Sequence, residues 1–135
     1  MEECTYANTP TFSIKGKYKA KVLKVLDGDS AYVCFKYNDK YYKFNARLNG
    51  IDAPETRTKN LEEKKAGLIS KQYLKDIIDN QIVDIDIIHF DKYGRILVEL
   101  YYNDKHINKR MVDGGYAFSY NGGTKIKYSS RHLKI

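Results

Sequence analysis

Three short stretches hold the residue types that phosphate chemistry asks for: Asp27-Gly28-Asp29, the segment Arg47-Leu-Asn-Gly-Ile-Asp52-Ala-Pro-Glu55-Thr, and Asp91-Lys-Tyr-Gly-Arg95. Each alone reads as a turn, because Asp-Gly corners, Pro-Glu-Thr helix approaches and Lys-Tyr-Gly-Arg bends are ordinary local structure. Together they bring at least three carboxylates and two guanidiniums to the ends of expected strands. Carboxylate oxygens suit a hard divalent cation, and planar guanidinium forks suit a phosphoryl group.

The elements that must position these groups follow from periodicity. Tyr18 to Leu26 is rich in Val, Leu and Tyr and ends at the Asp27-Gly28 corner. Ala31, Val33, Phe35 and Tyr37 then alternate with Tyr32, Cys34 and Lys36, and Tyr42, Phe44, Ala46 and Leu48 alternate with Lys43, Asn45 and Arg47. A three-stranded meander results, turning at Asn38-Asp39, with Arg47 on its polar face. Ala66, Ile69, Tyr73 and Ile77 recur at helical spacing behind Glu62 and Glu63, which predicts a helix over 61–79. Val83, Ile85 and Ile87, then Ile96, Val98, Leu100 and Tyr102, predict two more strands joined through Asp91 to Arg95. A short helix over 108–113 stops at Gly114-Gly115. Five strands and two helices predict an α+β domain around a small antiparallel barrel of the OB type. Residues 1–16 show no periodicity and read as a tail or loose strand, leaving 17–135 as a single domain.

Composition narrows the class. In 135 residues, 24 Lys and Arg outnumber 17 Asp and Glu for a net charge of +7, and 13 Tyr stand beside no Trp. Such a surface admits a polyanionic partner, since ammonium groups pair with phosphates and tyrosine rings stack on unpaired bases. No apolar run approaches the ~20 residues of a membrane-spanning helix, so no membrane partner is expected. Cys4 and Cys34 make no disulfide framework, and His89, His106 and His132 show no zinc spacing. The start is acidic and shows no signal peptide, so the expectation is an intracellular protein, or a secreted one whose chain is already processed. Frequent Lys, Asn, Ile, Tyr and Asp point to an AT-rich genome, bacterial or viral.

In this order and spacing, the three clusters resemble the staphylococcal nuclease (thermonuclease) family, from about Lys17 to Tyr120 and including the Gly115-Tyr116-Ala117 ending. The resemblance implies an OB-type barrel and a calcium-dependent phosphodiesterase acting on DNA and RNA. It implies Asp29, Asp52 and the backbone carbonyl of Ala53 as calcium ligands, Glu55 as the residue that activates water, and Arg47 and Arg95 as the clamp on the scissile phosphate. Lys92 and Tyr93 match positions that contact a neighbouring phosphate, and Tyr116 and Tyr120 are further candidates for substrate contact. Asp27 reads as a turn residue supporting the site. Departures from the family pattern are Ser30 and Ala53 where Thr is usual, a shorter loop after Glu55, and a truncated or missing C-terminal helix. Either the N-terminal tail, the 128–135 segment or a partner chain would cover the face that helix leaves. The alternative is a catalytically inactive member of the fold, used for nucleic-acid binding, protein binding or assembly.

Overall fold

The computed structural model describes residues 1–123 and residue 133. The expectation of a truncated C-terminal helix falls on 124–135 and lies outside the described residues except at Leu133. Long strands β1 (Gly16–Asp27), β2 (Ser30–Tyr37) and β3 (Lys40–Leu48) form the meander, followed by the two-residue β4 (Ile51–Asp52) and helix α1 (Leu61–Ile78). Next come β5 (Ile82–Phe90), β6 (Ile96–Tyr102), the short β7 (Lys105–His106), helix α2 (Ile107–Asp113) and β8 (Phe118–Ser119). Asn38 and Asp39 both adopt positive φ, 49° and 65°, the geometry a tight hairpin asks of a residue pair.

The sheet runs β3-β2-β1-β5-β6-β7 and closes where β3 meets β6, with Ala46 opposite Ile96 and Leu48 opposite Val98. That seam is parallel, which corrects the expectation of an all-antiparallel barrel. The reason is parity: five strands that alternate in direction around a closed ring must leave one pair running the same way. The strand count and closure otherwise match the OB-type α+β reading. The two-residue strands β4, β7 and β8 are too short to produce an alternating pattern in sequence.

Alternation decides what is buried. Val22, Val33, Phe35, Ile85, Ile96, Val98 and Leu100 point into the barrel and are at most 1% exposed. Each contributes roughly 1.5–3 kcal/mol by leaving water. Helix α1 covers one end with Ala66, Gly67, Ser70, Leu74 and Ile78, whereas Ile69 remains 39% exposed. The buried stripe is therefore displaced from the expected Ala66-Ile69-Tyr73-Ile77 face. Small residues at 67 and 70 let the helix lie close, which an apolar-periodicity count does not register. Ahead of β1, Ile14 is buried and the Phe12 ring packs edge-on against Tyr37 and Phe90, at 6.1 and 5.7 Å.

Asn108 joins α2 to the barrel. Its side chain accepts from Leu100 N and donates to the Val98 and Asn49 carbonyls, each at 2.9 Å, and the residue is 2% exposed. Asn108→Ala removes one hydrogen bond from each of three backbone groups, of which the Val98 carbonyl keeps the Asn49 amide at 2.8 Å, so urea unfolding is expected to show a loss of about 3 kcal/mol. A loss below about 1 kcal/mol would mean that water replaces the amide.

Candidate active site

The three clusters meet in one cleft. The β1–β2 turn supplies Asp27 and Asp29, the end of β3 supplies Arg47, the segment after β4 supplies Ala53, Pro54 and Glu55, and the β5–β6 turn supplies Arg95. Ser30 and Asn45 complete the lining of a cavity of about 160 Å³. Sequence reasoning assigned those two residues no role, although both share the outward face with Arg47 through the pairings Ser30–Arg47 and Tyr32–Asn45.

The centre of the site is a buried charge cluster. Asp29 is 6% exposed and Asp52 is 2% exposed. Arg47 stands between them, with Nη1 3.1 Å from Asp29 Oδ2 and Nη2 3.7 Å from Asp52 Oδ1, and it also donates to the Ile51 carbonyl at 3.2 Å. The Ala53 amide donates to Asp29 Oδ2 at 2.9 Å. Desolvation pushes the Asp29 carboxyl above its usual range, opposed by Arg47 and the Ala53 amide and reinforced by the negative charges of Asp27 and Asp52.

Two glycines make the approach of these segments possible. A Cβ on Gly28 would lie 1.8 Å from Ser70 Oγ and 3.0 Å from Ala53 Cβ, and one on Gly67 would lie 2.5 Å from the Glu55 carbonyl oxygen. Helix α1 therefore rests directly on the Pro54–Glu55 backbone. The Glu55 amide donates to Glu63 Oε2 at 3.1 Å, and Thr56 Oγ1 donates to Asp27 Oδ1 at 2.7 Å. Glu55 itself is exposed and lines the cleft.

Arg95 is held from its own turn. Asp91 Oδ1 accepts from the Tyr93 and Arg95 amides at 2.8 and 2.9 Å, while Asp91 Oδ2 takes Arg95 Nε at 2.8 Å. Desolvation raises the Asp91 carboxyl, but the hydrogen bonds from Arg95 and Tyr93 outweigh it and hold the group below its usual range. Asp91 is thus a positioning residue that sequence reasoning left without a function. Its signal was the Asx-turn spacing, a side chain that caps amides two and four residues on.

The remaining candidates lie outside the cleft lining. Lys92 and Tyr93 sit on the turn, with Lys92 Nζ 5.2 Å and the Arg95 guanidinium 6.0 Å from the Tyr93 ring centre. Tyr120 lines a neighbouring groove of about 500 Å³ that shares Arg47 and includes Asn49 and Leu97. Tyr116 stacks on Tyr73 with ring centres 3.7 Å apart and planes 8° apart, so its ring packs against helix α1.

The sequence pattern of the family described as "Staphylococcal nuclease homologue" matches residues 45–134, well over half of the chain. The chain belongs to the staphylococcal nuclease family. Similar proteins include an uncharacterized protein of Bacillus anthracis, 35% identical across 73% of this chain and 45% of its own length. An uncharacterized endonuclease of Haemophilus influenzae is 34% identical across 77% of this chain and 53% of its own. The thermonuclease of Staphylococcus hyicus is 31% identical across 82% and 64%. The chain spans about half the length of the first two. No helix among the described residues is long and apolar enough to cross a membrane.

The donor chemistry fits a hard divalent cation. Two buried carboxylates share one guanidinium, and a third carboxylate stands close enough to raise Asp29, so negative charge is in excess there. Among the described residues no three His, Cys, Asp or Glu side chains converge as a ready metal cage. The fit is thus to an ion that completes its shell with backbone oxygens and water, as calcium and magnesium do.

A charge held in this environment opposes folding. The folded protein binds the Asp29 proton more tightly than the unfolded chain, so the contribution of Asp29 to stability is fullest below the ordinary carboxylate range and is lost as pH rises through the raised value. Asp29→Asn keeps an acceptor for the Ala53 amide and leaves Asp52 with Arg47. In chelator at about pH 7 the variant should unfold at higher urea than the wild type, and the gap should close toward about pH 3. Equal midpoints at neutral pH would count against a costly Asp29 charge.

Proposed function

We propose that the chain is a calcium-dependent endonuclease that hydrolyses phosphodiester bonds in single-stranded or locally open DNA and RNA, with residues 17–135 acting as one nuclease domain. The observation that carries this reading is the convergence of Asp29, Arg47, Glu55 and Arg95, from four separate segments, on one small cleft. Family membership and relatives named endonuclease and thermonuclease support it.

In this reading Asp29, Asp52 and the Ala53 carbonyl hold the cation. When bound, it lowers the pKa of a coordinated water and offsets phosphate charge. Glu55 accepts the proton as the water oxygen attacks phosphorus, because an exposed carboxylate in the cleft lining is a base within reach of solvent. Arg47 and Arg95 donate to the phosphate oxygens as negative charge grows on them. The bond from phosphorus to the 5′-oxygen breaks and that oxygen takes a proton from solvent water, leaving a 3′-phosphate and a 5′-hydroxyl. Lys92 and Tyr93 contact the adjoining phosphate, and Tyr120, in its groove beside Arg47, offers a surface for the nucleoside; Tyr116, stacked on Tyr73, contributes to packing. A site that grips phosphate in this way reads little of the base, so both DNA and RNA are substrates.

The fixed guanidiniums make a further demand. Arg47 is held through both Nη groups by Asp29, Asp52 and the Ile51 carbonyl, and Arg95 is held through Nε by Asp91, which leaves the Nη end of Arg95 as a planar fork. Cleavage of a fluorescent single-stranded DNA is expected with calcium and not with chelator. Glu55→Gln and Arg95→Ala are each expected to lower the rate by ~10²-fold or more. Cleavage that persists in both variants, or none by the wild type, would sink the nuclease reading in favour of a binding or assembly module.

A further inference from the structure

We propose that the solvent face of β1, β2 and β3 is a track that carries a single strand of nucleic acid, phosphate by phosphate, into the cleft. The proposal rests on the nuclease reading for the direction of travel and goes beyond it in assigning a surface outside the cleft.

The antiparallel register orders the outward side chains into rows. Arg47, Ser30 and Asp27 form the first, at the cleft. Asn45, Tyr32 and Lys24 form the second, Lys43, Cys34 and Lys21 the third, and Tyr41 and Lys36 the fourth. Asn45 lines the cleft itself, so the rows continue from it without a break. Successive rows are three residues apart along β1, where two register shifts insert an extra residue between rows, and two apart along β2 and β3, roughly 6.6 Å. That interval is comparable to the phosphate spacing of a stretched single strand.

Charge distinguishes this face from its neighbour. Across β1 and β5, Lys17 pairs with Asp86 and Lys19 with Asp84, the latter closing an ion pair at 3.0 Å. The β1–β2–β3 face has no such compensation: among the described residues no carboxylate forms an ion pair with Lys21, Lys24, Lys36 or Lys43, and all four are exposed. Four like charges on adjacent strands repel one another and gain most from a polyanion. Aromatic rings stand between them. Tyr41 is 73% exposed and offers a flat surface on which an unpaired base can stack, while Lys43 Nζ lies over the Tyr32 ring, 5.2 Å from its centre, and is held there on the face. Alternating cations and rings suit a strand whose bases are free, and suit a duplex poorly because its bases are turned inward.

The test compares substrates by length. Lys36→Gln with Lys43→Gln removes the far end of the track while leaving the cleft residues in place. The double variant is expected to lose at least ~10-fold in kcat/KM on a fifteen-nucleotide oligothymidylate and nothing on a trinucleotide, and the salt dependence of binding should flatten by a slope of about 1.4 for two lost phosphate contacts. Binding of the labelled fifteen-mer is followed by fluorescence anisotropy in the Glu55→Gln background, so that hydrolysis does not interfere. Equal losses on both substrates, or none on the longer one with unchanged anisotropy, would overturn the track. Lysine-dependent binding by a wild type that cleaves neither substrate would uphold the track and end the nuclease reading instead.

Discussion

Asp29 and Asp52 are almost completely withdrawn from water on either side of the single guanidinium of Arg47. Burying a charge is expensive unless it is paired and hydrogen-bonded, and here two negative groups share one positive partner. The imbalance forces the surrounding chain to be specific. The Ala53 amide must point at Asp29, the Ile51 carbonyl must accept from Arg47, and the Leu48 amide must bond the Asp29 carbonyl, which it does at 2.8 Å. The ends of β1 and β3 and the start of β4 are tied to one another around this cluster, and the cleft is the space that remains beside it.

Close backbone contact is the second constraint. Gly28 and Gly67 sit where any side chain would collide with Ser70 or with the Glu55 carbonyl. Their absence of side chains, rather than their flexibility, lets α1 press the Pro54–Glu55 backbone against the barrel. The orientation of Glu55 thus depends on a helix that contributes none of the cleft lining. Ser70, fully buried at the same contact, has no hydrogen-bond partner for its hydroxyl among the described residues, which is the cost of fitting a small residue under the β1–β2 turn.

Much of this was legible beforehand. Period-two alternation from Ala31 to Leu48 and from Val83 to Tyr102 located the long strands because their inner residues are aliphatic or aromatic, with tyrosines toward the strand ends, of which Tyr42 is 45% exposed. The three polar clusters located the cleft because turns at strand ends are where outward polar groups collect. What sequence could not supply was through-space geometry. The parallel seam between β3 and β6 depends on ring closure, the shifted stripe of α1 depends on glycine and serine packing, and Tyr116 could not be separated from Tyr120 until one was seen to stack on Tyr73 and the other to line a groove. Asp91 was missed for a different reason: its partners are amides of its own turn, and side chain to backbone bonds leave only a spacing, with no change of residue type, to mark them.

The parallel seam also sets the order in which the molecule becomes whole. Arg47 is the last residue but one of one strand of the seam, and Arg95 lies immediately before the other, about fifty residues later. Neither the meander alone nor the meander with its helix holds both. A chain emerging from synthesis therefore carries no complete cleft until β6 has docked, and any fluctuation that opens the seam takes the two guanidiniums apart together. Integrity of the barrel and assembly of the cleft are therefore the same event.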